Sequence, residues 1–179
     1  MRVRSTALRC LSVAAVTAAA VAGGVSAGAQ AAEAPAAKAP TAAHNRVVQI
    51  KTFANKCLDV EGASHADRAR IIQYHCTGGR NQRFELRHSG GGTYEIRTFA
   101  GKCLDVEGAS HSDHARIIQY RCHNGANQKF RIVGVGHGQV AIKTFANKYF
   151  DVEGASHADR ARVIQYHWNG GANQKFRLV

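Results

Sequence analysis

Several chemistries have no foothold in this chain. It has no Cys-x-x-Cys pair of the zinc type, no phosphate-binding loop and no Ser/His/Asp order of a hydrolase. Five cysteines in 179 residues are too few for a disulfide-dense miniprotein. Acidic residues are scarce, 12 Asp+Glu against 24 Lys+Arg, so the net charge is +12. That balance admits several anionic partners, and only the pattern along the chain can choose among them. What is present suffices for a packed core. Hydrophobic residues make up 45% and aromatics 7%, which argues against wholesale disorder, and the length permits one domain.

The N-terminus reads as an export address. Arg2, Arg4 and Arg9 precede a small apolar run from Leu11 to Ala22. Ala27-Gly28-Ala29 and Ala29-Gln30-Ala31 offer small-x-small cleavage patterns. The run is shorter than the ~20 residues of a spanning helix. The competing reading is an uncleaved anchor, because no charge appears from Leu11 to Ala32. Cys10 directly follows Arg9, a poor setting for lipid attachment. Residues 1–31 are therefore expected to be a signal peptide and 32–44, with Pro35 and Pro40, a semi-extended leader. Cleavage would remove three arginines and no acid, taking +12 to +9, and would leave four cysteines in an oxidising compartment.

Everything from Asn45 onward is one unit repeated three times. Lys51-Thr52-Phe53-Ala54 recurs from Arg97 and from Lys143, at an offset of 46 both times. Each copy continues with Asp-Val-Glu-Gly-Ala-Ser-His, then Ile-Gln-Tyr, then Asn-Gln-x-Phe, and residues 51–86 and 143–178 agree at 28 of 36 positions. No copy holds a helical-period run of ten or more residues, which excludes helical-pair repeats. Each holds instead short β-type segments, in the first copy Val47–Phe53, Cys57–Val60, Ile71–Cys76 and Phe84–Arg87, separated by turn clusters. Four strands per copy predict twelve. Three propeller blades would fall below the usual four to eight. An all-β, pseudo-threefold β-trefoil is expected, with repeats 45–90, 91–136 and 137–179.

Lys56-Cys57-Leu58-Asp59-Val60, the Ile71–Cys76 strand ending in Tyr-x-Cys, and Asn81-Gln82-x-Phe84 resemble the ricin-B-type β-trefoil lectins, which are also the family-thirteen carbohydrate-binding modules. The resemblance covers Asn45 to Val179. Three departures stand out. The family's Gln-x-Trp is Gln-x-Phe here, at Phe84, Phe130 and Phe176, so a smaller ring fills that core position. A turn where the family often has Gly carries Arg68, His114 and Arg160. The position of a frequent sugar-binding Gln holds Ile72, Ile118 or Ile164, which removes one sugar hydrogen bond per site.

Repeat logic pairs the cysteines. Cys57 and Cys76 are 19 apart, as are Cys103 and Cys122, and in the third copy both positions change together, to Tyr149 and Trp168. Joint loss is what a bond between those positions predicts, so Cys57–Cys76 and Cys103–Cys122 are expected. Each is worth roughly 3 kcal/mol by loop closure. An aromatic pair is expected to substitute in the third copy.

Asp59, Asp105 and Asp151 each sit between apolar neighbours on a short strand. Alternation then turns the neighbours inward and the carboxylate outward, where it can accept two sugar hydroxyls. Tyr74, Tyr120 and Tyr166 offer a flat face for a pyranose ring, and Asn81, Asn127 and Asn173 an amide donor and acceptor. The resemblance assigns sugar contact to these same positions. It adds backbone contacts at Gly62, Gly108 and Gly154, and contacts from Thr77, His123 and Asn169. Gln82, Gln128 and Gln174 are expected to hold the aspartates from behind. The bland alternative is that Asp and Asn are turn-formers and the tyrosines packing. A copy can also keep the fold and lose its site, and the third, without a disulfide, is the first suspect.

Other functions fit less well. Asp59 and Glu61, two apart on a strand, resemble a glycosidase pair, but the pair recurs at Asp105/Glu107 and Asp151/Glu153, whereas a catalytic centre is assembled once. His65, His111 and His157 occupy equivalent turns that a threefold axis could in principle gather around a metal, although turn-tip histidines are usually solvated. No cofactor or metal is expected. Scattered basic residues and the export address argue against nucleic acid. An inhibitor would present one unique long loop, which near-equal copies lack. The expectation is a secreted, extracellular, monomeric, non-catalytic lectin with up to three equivalent sites for carbohydrate, of galactose or xylose type by resemblance. The alternative is a charge-driven binder of anionic polysaccharide or cell-envelope polymer, marked by steep salt sensitivity.

Overall fold

The computed structural model describes residues 45–179, so the expected signal peptide and leader lie outside the described residues. Thirteen strands and six short 3-10 turns follow, with no α-helix among the described residues. The first copy contributes β1 (Arg46–Val48), β2 (Ile50–Lys51), β3 (Cys57–Val60), β4 (Ile71–Tyr74) and β5 (Phe84–His88). The second contributes β6 (Tyr94–Arg97), β7 (Cys103–Val106), β8 (Ile117–Tyr120) and β9 (Arg131–Gly136). The third contributes β10 (Gln139–Lys143), β11 (Tyr149–Val152), β12 (Val163–Tyr166) and β13 (Arg177–Leu178).

The count is thirteen rather than twelve because the first strand changes partner in its middle. β1 pairs with β5, whereas β2 pairs with β13 and β3. Gln49, between them, exchanges both backbone hydrogen bonds with the C-terminal Val179, at 2.7 and 3.0 Å. The sheet orders β1-β5-β6-β7-β8, β12-β11-β10-β9 and β13-β2-β3-β4 are thus joined head to tail, and closure leaves the ends of the repeat array no open edge there.

The copies interlock in a cycle. Arg68, His114 and Arg160 donate their backbone N–H to the carbonyls of Gln119, Gln165 and Gln73 of the next copy, at 2.8, 2.9 and 2.8 Å. Those glutamines are fully buried, and their side chains return hydrogen bonds to the turn they face. Gln73, for example, donates Nε2 to the carbonyls of Ser156 and Ala158. Ion pairs follow the same cycle: Lys56–Asp159, Lys102–Asp67 and Lys148–Asp113.

The inward residues of all three copies form one core of Val48, Leu58, Val60, Ile71, Leu104, Phe150 and their equivalents. Phe84, Phe130 and Phe176 are fully buried within it, so the smaller ring does fill the signature position. Both disulfides form as the repeat logic expects, Cys57–Cys76 and Cys103–Cys122, each with Cα atoms 5.1 Å apart. At the third position Tyr149 and Trp168 stack instead, with centroids 4.8 Å apart.

Candidate functional site

Each copy builds a recess between its second and third strands. In the first, β3 delivers Asp59 between Leu58 and Val60, both fully buried in the core. The alternation holds, yet Asp59, Asp105 and Asp151 are only 3–4% exposed. They are not outward platforms but floors of recesses, because the Asn-Gln turn folds over them. The chain leaves β3 through the turn Glu61–Ala63, where Gly62 has φ 66°, a left-handed conformation that glycine adopts freely. Glu61 therefore lies in this turn rather than on the strand. β4 returns to bring Tyr74, and the turn Arg80–Gln82 brings Asn81.

Asp59, Gly62, Tyr74, Thr77 and Asn81 line one cavity of about 330 Å³. Asp105, Gly108, Tyr120, His123 and Asn127 line a second of about 370 Å³. Asp151, Gly154, Tyr166, Asn169 and Asn173 line a third of about 310 Å³. The five positions singled out per copy thus converge three times over. Ile72, Ile118 and Ile164 lie in the same linings, so the positions that lost an amide still face the recess with apolar surface.

The three floors are held differently. Asp59 accepts from Asn81 Nδ2 (2.9 Å) and Gln82 Nε2 (2.8 Å). Asp105 accepts from Gln128 Nε2 at 2.8 Å, and the His123 ring stands 3.3 Å away. Asp151 accepts from Asn173 Nδ2 at 2.8 Å, and Gln174, whose Nε2 donates to the His167 carbonyl at 2.8 Å, also draws it down. Burial dominates the electrostatics of all three. It raises the carboxyl of Asp59, Asp105 and Asp151 above the usual aspartate value, against the opposing pull of the amides. One side of each tyrosine is covered by the residue that follows it, His75 and His167 at 4.2 Å between centroids and the Arg121 guanidinium at 5.1 Å. Gln82 also accepts from the Thr77 backbone N–H and donates to the His75 carbonyl, so one fully buried amide fixes both the carboxylate and the loop beside it.

One group of lining residues escaped the sequence. Arg160 of the third copy lines the first recess, Arg68 of the first lines the second, and His114 of the second lines the third. Their only signal was an unusual residue type at a turn. The recess each serves lies in a different copy, which spacing alone does not reveal. The turn histidines do not gather. His65, His111 and His157 stack edge-on against Phe99, Phe145 and Phe53 of neighbouring copies, at 4.7–4.8 Å. Among the described residues no cluster of three or more His, Cys, Asp or Glu is placed to hold a metal.

A closed threefold array of short strands, with one polar-and-aromatic recess per copy, defines a β-trefoil of the carbohydrate-binding type. The family profile of the ricin-type beta-trefoil lectin domain matches residues 46–178, and the chain belongs to that family. Among solved structures it is similar to the designed threefold-symmetric protein ThreeFoil, at 44% identity and TM-score 0.73, covering 74% of this chain and 97% of that one. It is also similar to the exo-beta-1,3-galactanase 1,3Gal43A from Clostridium thermocellum, at 31% identity and TM-score 0.72, over 74% of this chain but 30% of that longer one. The Rhizoctonia solani agglutinin shares the fold at 20% identity and TM-score 0.68, over 79% and 99% of the two chains. No curated protein sequence matches the chain.

Proposed function

We propose that the protein is an exported, non-catalytic lectin with up to three equivalent sites, each binding one sugar unit in a recess. The observation that carries this reading is the threefold convergence of carboxylate, tyrosine ring, amide and left-handed glycine on a cavity of about 310–370 Å³. The carboxylate accepts hydroxyl protons, the ring packs on the apolar face of a pyranose, and the amide supplies a donor and an acceptor. Gly62, Gly108 and Gly154 bring backbone close to the ligand, and Thr77, His123 and Asn169 close the remaining side. Gln82, Gln128 and Gln174 hold the floor and the adjoining loop. Weak single sites gain strength when several engage one polymer.

A glycosidase reading is disfavoured by the acid partners. Desolvation works against ionisation of Glu61 and Glu107, yet hydrogen bonds from Arg70 with Arg160, and from Arg68 with Arg116, hold both below the usual glutamate value. A carboxylate tied to two guanidiniums is a poor nucleophile and a poor base. Export is supported by the two disulfides, which persist in oxidising compartments, and by the N-terminal pattern.

One feature favours the charge-driven alternative as a second reading. A separate cavity of about 400 Å³ is lined by Lys129, Arg131 and Lys143 with no acid among its lining residues. Arg131 and Lys143 are direct cross-strand partners, an arrangement that like charges disfavour unless an anion offsets it. A glycan and polysaccharide screen at low and physiological salt separates the two. Salt-tolerant binding of neutral sugars, competed by free monosaccharide, is expected for the lectin; binding of anionic polymers alone, lost with salt, would replace it.

A further inference from the structure

Each recess is completed by a side chain from another copy, and two of the three are arginines. Arg68, His114 and Arg160 hold equivalent positions, with φ of 68°, 65° and 69°. That region favours glycine, so each side chain is held there at some cost in backbone strain. The strain has a geometric consequence. Each backbone N–H bonds the Gln carbonyl one residue before the tyrosine of the recess it serves, which sets the side chain at the rim of that recess.

The rim guanidiniums are 68% and 69% exposed, whereas the floor carboxylates are buried. Glu61 accepts from Arg70 Nε at 2.7 Å and from Arg160 Nη2 at 2.9 Å. Glu107 accepts from Arg116 Nε at 2.6 Å and from Arg68 through Nε and Nη2, at 3.2 and 2.8 Å. In both copies two guanidiniums share one carboxylate, so one positive charge is left over at the rim. The Glu61 bond engages Nη2 of Arg160 and leaves its Nε and Nη1 as donors, and Arg68 retains Nη1. The third copy lacks this fork. Glu153 accepts from Arg162, and the His114 ring lies 3.9 Å away, against the edge of Tyr166.

We propose that the first and second recesses select sugars carrying a carboxylate, that is, uronic acids. The ring hydroxyls meet the floor aspartate, and the acid group lies at the rim against the free N–H groups of Arg160 or Arg68. A planar guanidinium matches a planar carboxylate, and the charge-assisted bond is stronger than one to a neutral hydroxymethyl group. The third recess does not make this distinction. The inference rests on the lectin reading and assigns a sugar class to two of its three sites.

Calorimetric titration at low salt with two matched pairs tests it: xylose against glucuronic acid, and galactose against galacturonic acid. Glucuronic acid adds a carboxylate to the ring of xylose, and galacturonic acid carries one in place of the hydroxymethyl group of galactose. The acid is expected to bind about tenfold more tightly in the pair that fits the recess. The double variant Arg68→Gly/Arg160→Gly, in which glycine suits the left-handed backbone, is expected to bring the acid-to-neutral ratio to about one, with folding checked by thermal melt. In the opposite direction, His114→Arg is expected to raise the acid-selective sites from two to three. A neutral sugar bound as tightly as its acid by the unmodified protein would overturn the inference and leave the lectin reading intact. Acid preference surviving in the double variant would overturn it too, pointing to the separate lysine-lined cavity. Failure of every sugar to bind would overturn the lectin reading, and this inference with it.

Discussion

Replacing the buried glutamine behind each floor by leucine should cost unequal amounts in the three copies. Gln82→Leu strips an acceptor from the Thr77 N–H (2.8 Å) and donors from the His75 carbonyl (2.9 Å) and Asp59 Oδ2 (2.8 Å). A neutral hydrogen bond is worth about 1 kcal/mol and one to a charged group about 2, giving about 4 kcal/mol in all. Gln128→Leu removes the same set, to the His123 N–H, the Arg121 carbonyl and Asp105, and should cost the same. Gln174→Leu removes the bonds to the Asn169 N–H and the His167 carbonyl and a weaker hold on Asp151, about 3 kcal/mol in all. At this domain size about 1 kcal/mol moves the melting temperature by roughly 3 °C, so falls of about 12, 12 and 9 °C are expected. Urea unfolding of the three single variants measures the differences directly. The first two should also weaken one sugar site each, because the floor carboxylate loses its main donor and keeps only Asn81 or His123. A Gln82→Leu cost below about 1 kcal/mol, or a Gln174→Leu cost above those of the other two, would refute the assignment of these amides.

Three further outcomes follow from the same geometry. The double variant Tyr149→Cys/Trp168→Cys should form a third disulfide at the position equivalent to two existing ones. It would gain about 3 kcal/mol by loop closure and lose about 1 from the aromatic pair, a melting rise of roughly 6 °C that a reductant abolishes; no rise would contradict it. Sugar affinity should fall on acidification while the pH is still above 3.8, since burial raises Asp59, Asp105 and Asp151 above that value. With folded values raised, these three favour the folded state below 3.8 and lose that contribution as pH climbs through the raised values, so binding should fail before the fold does; affinity unchanged down to pH 3.8 would contradict this. Asp113 behaves oppositely. Hydrogen bonds from Lys148 and His167 hold it at about 2, so its contribution is present above 3.8 and disappears as pH falls toward 2. Asp113→Asn should flatten the acid limb of the stability curve over that interval, and an unaltered limb would exclude the role.

The 46-residue offset and its turn clusters disclosed the trefoil and the two disulfides, because each is a property of one copy read three times. The strand exchange at Gln49 was not legible, since it depends on Val179 returning from the far end of the chain. The residues of each recess were legible, but the burial of the aspartates was not. Period-two alternation says which way Asp59 points and nothing about the Asn-Gln turn that folds over it. Least legible were contacts between copies. Arg160 reaches Glu61 across 99 residues, and His65 stacks on Phe99, through a closure that no local pattern encodes.

The central claim is that three built recesses, rather than bulk charge, bind carbohydrate. It is tested most directly by counting bound sugars per chain at physiological salt, in the protein and in Asp59→Asn/Asp105→Asn/Asp151→Asn. Asparagine keeps the shape of the floor and an acceptor for the amides above it. Up to three bound sugars per chain, displaced by free monosaccharide and lost in a triple variant that still melts cooperatively, is the predicted result. Undiminished binding in that folded variant, or binding confined to polyanions and abolished by salt, would contradict it.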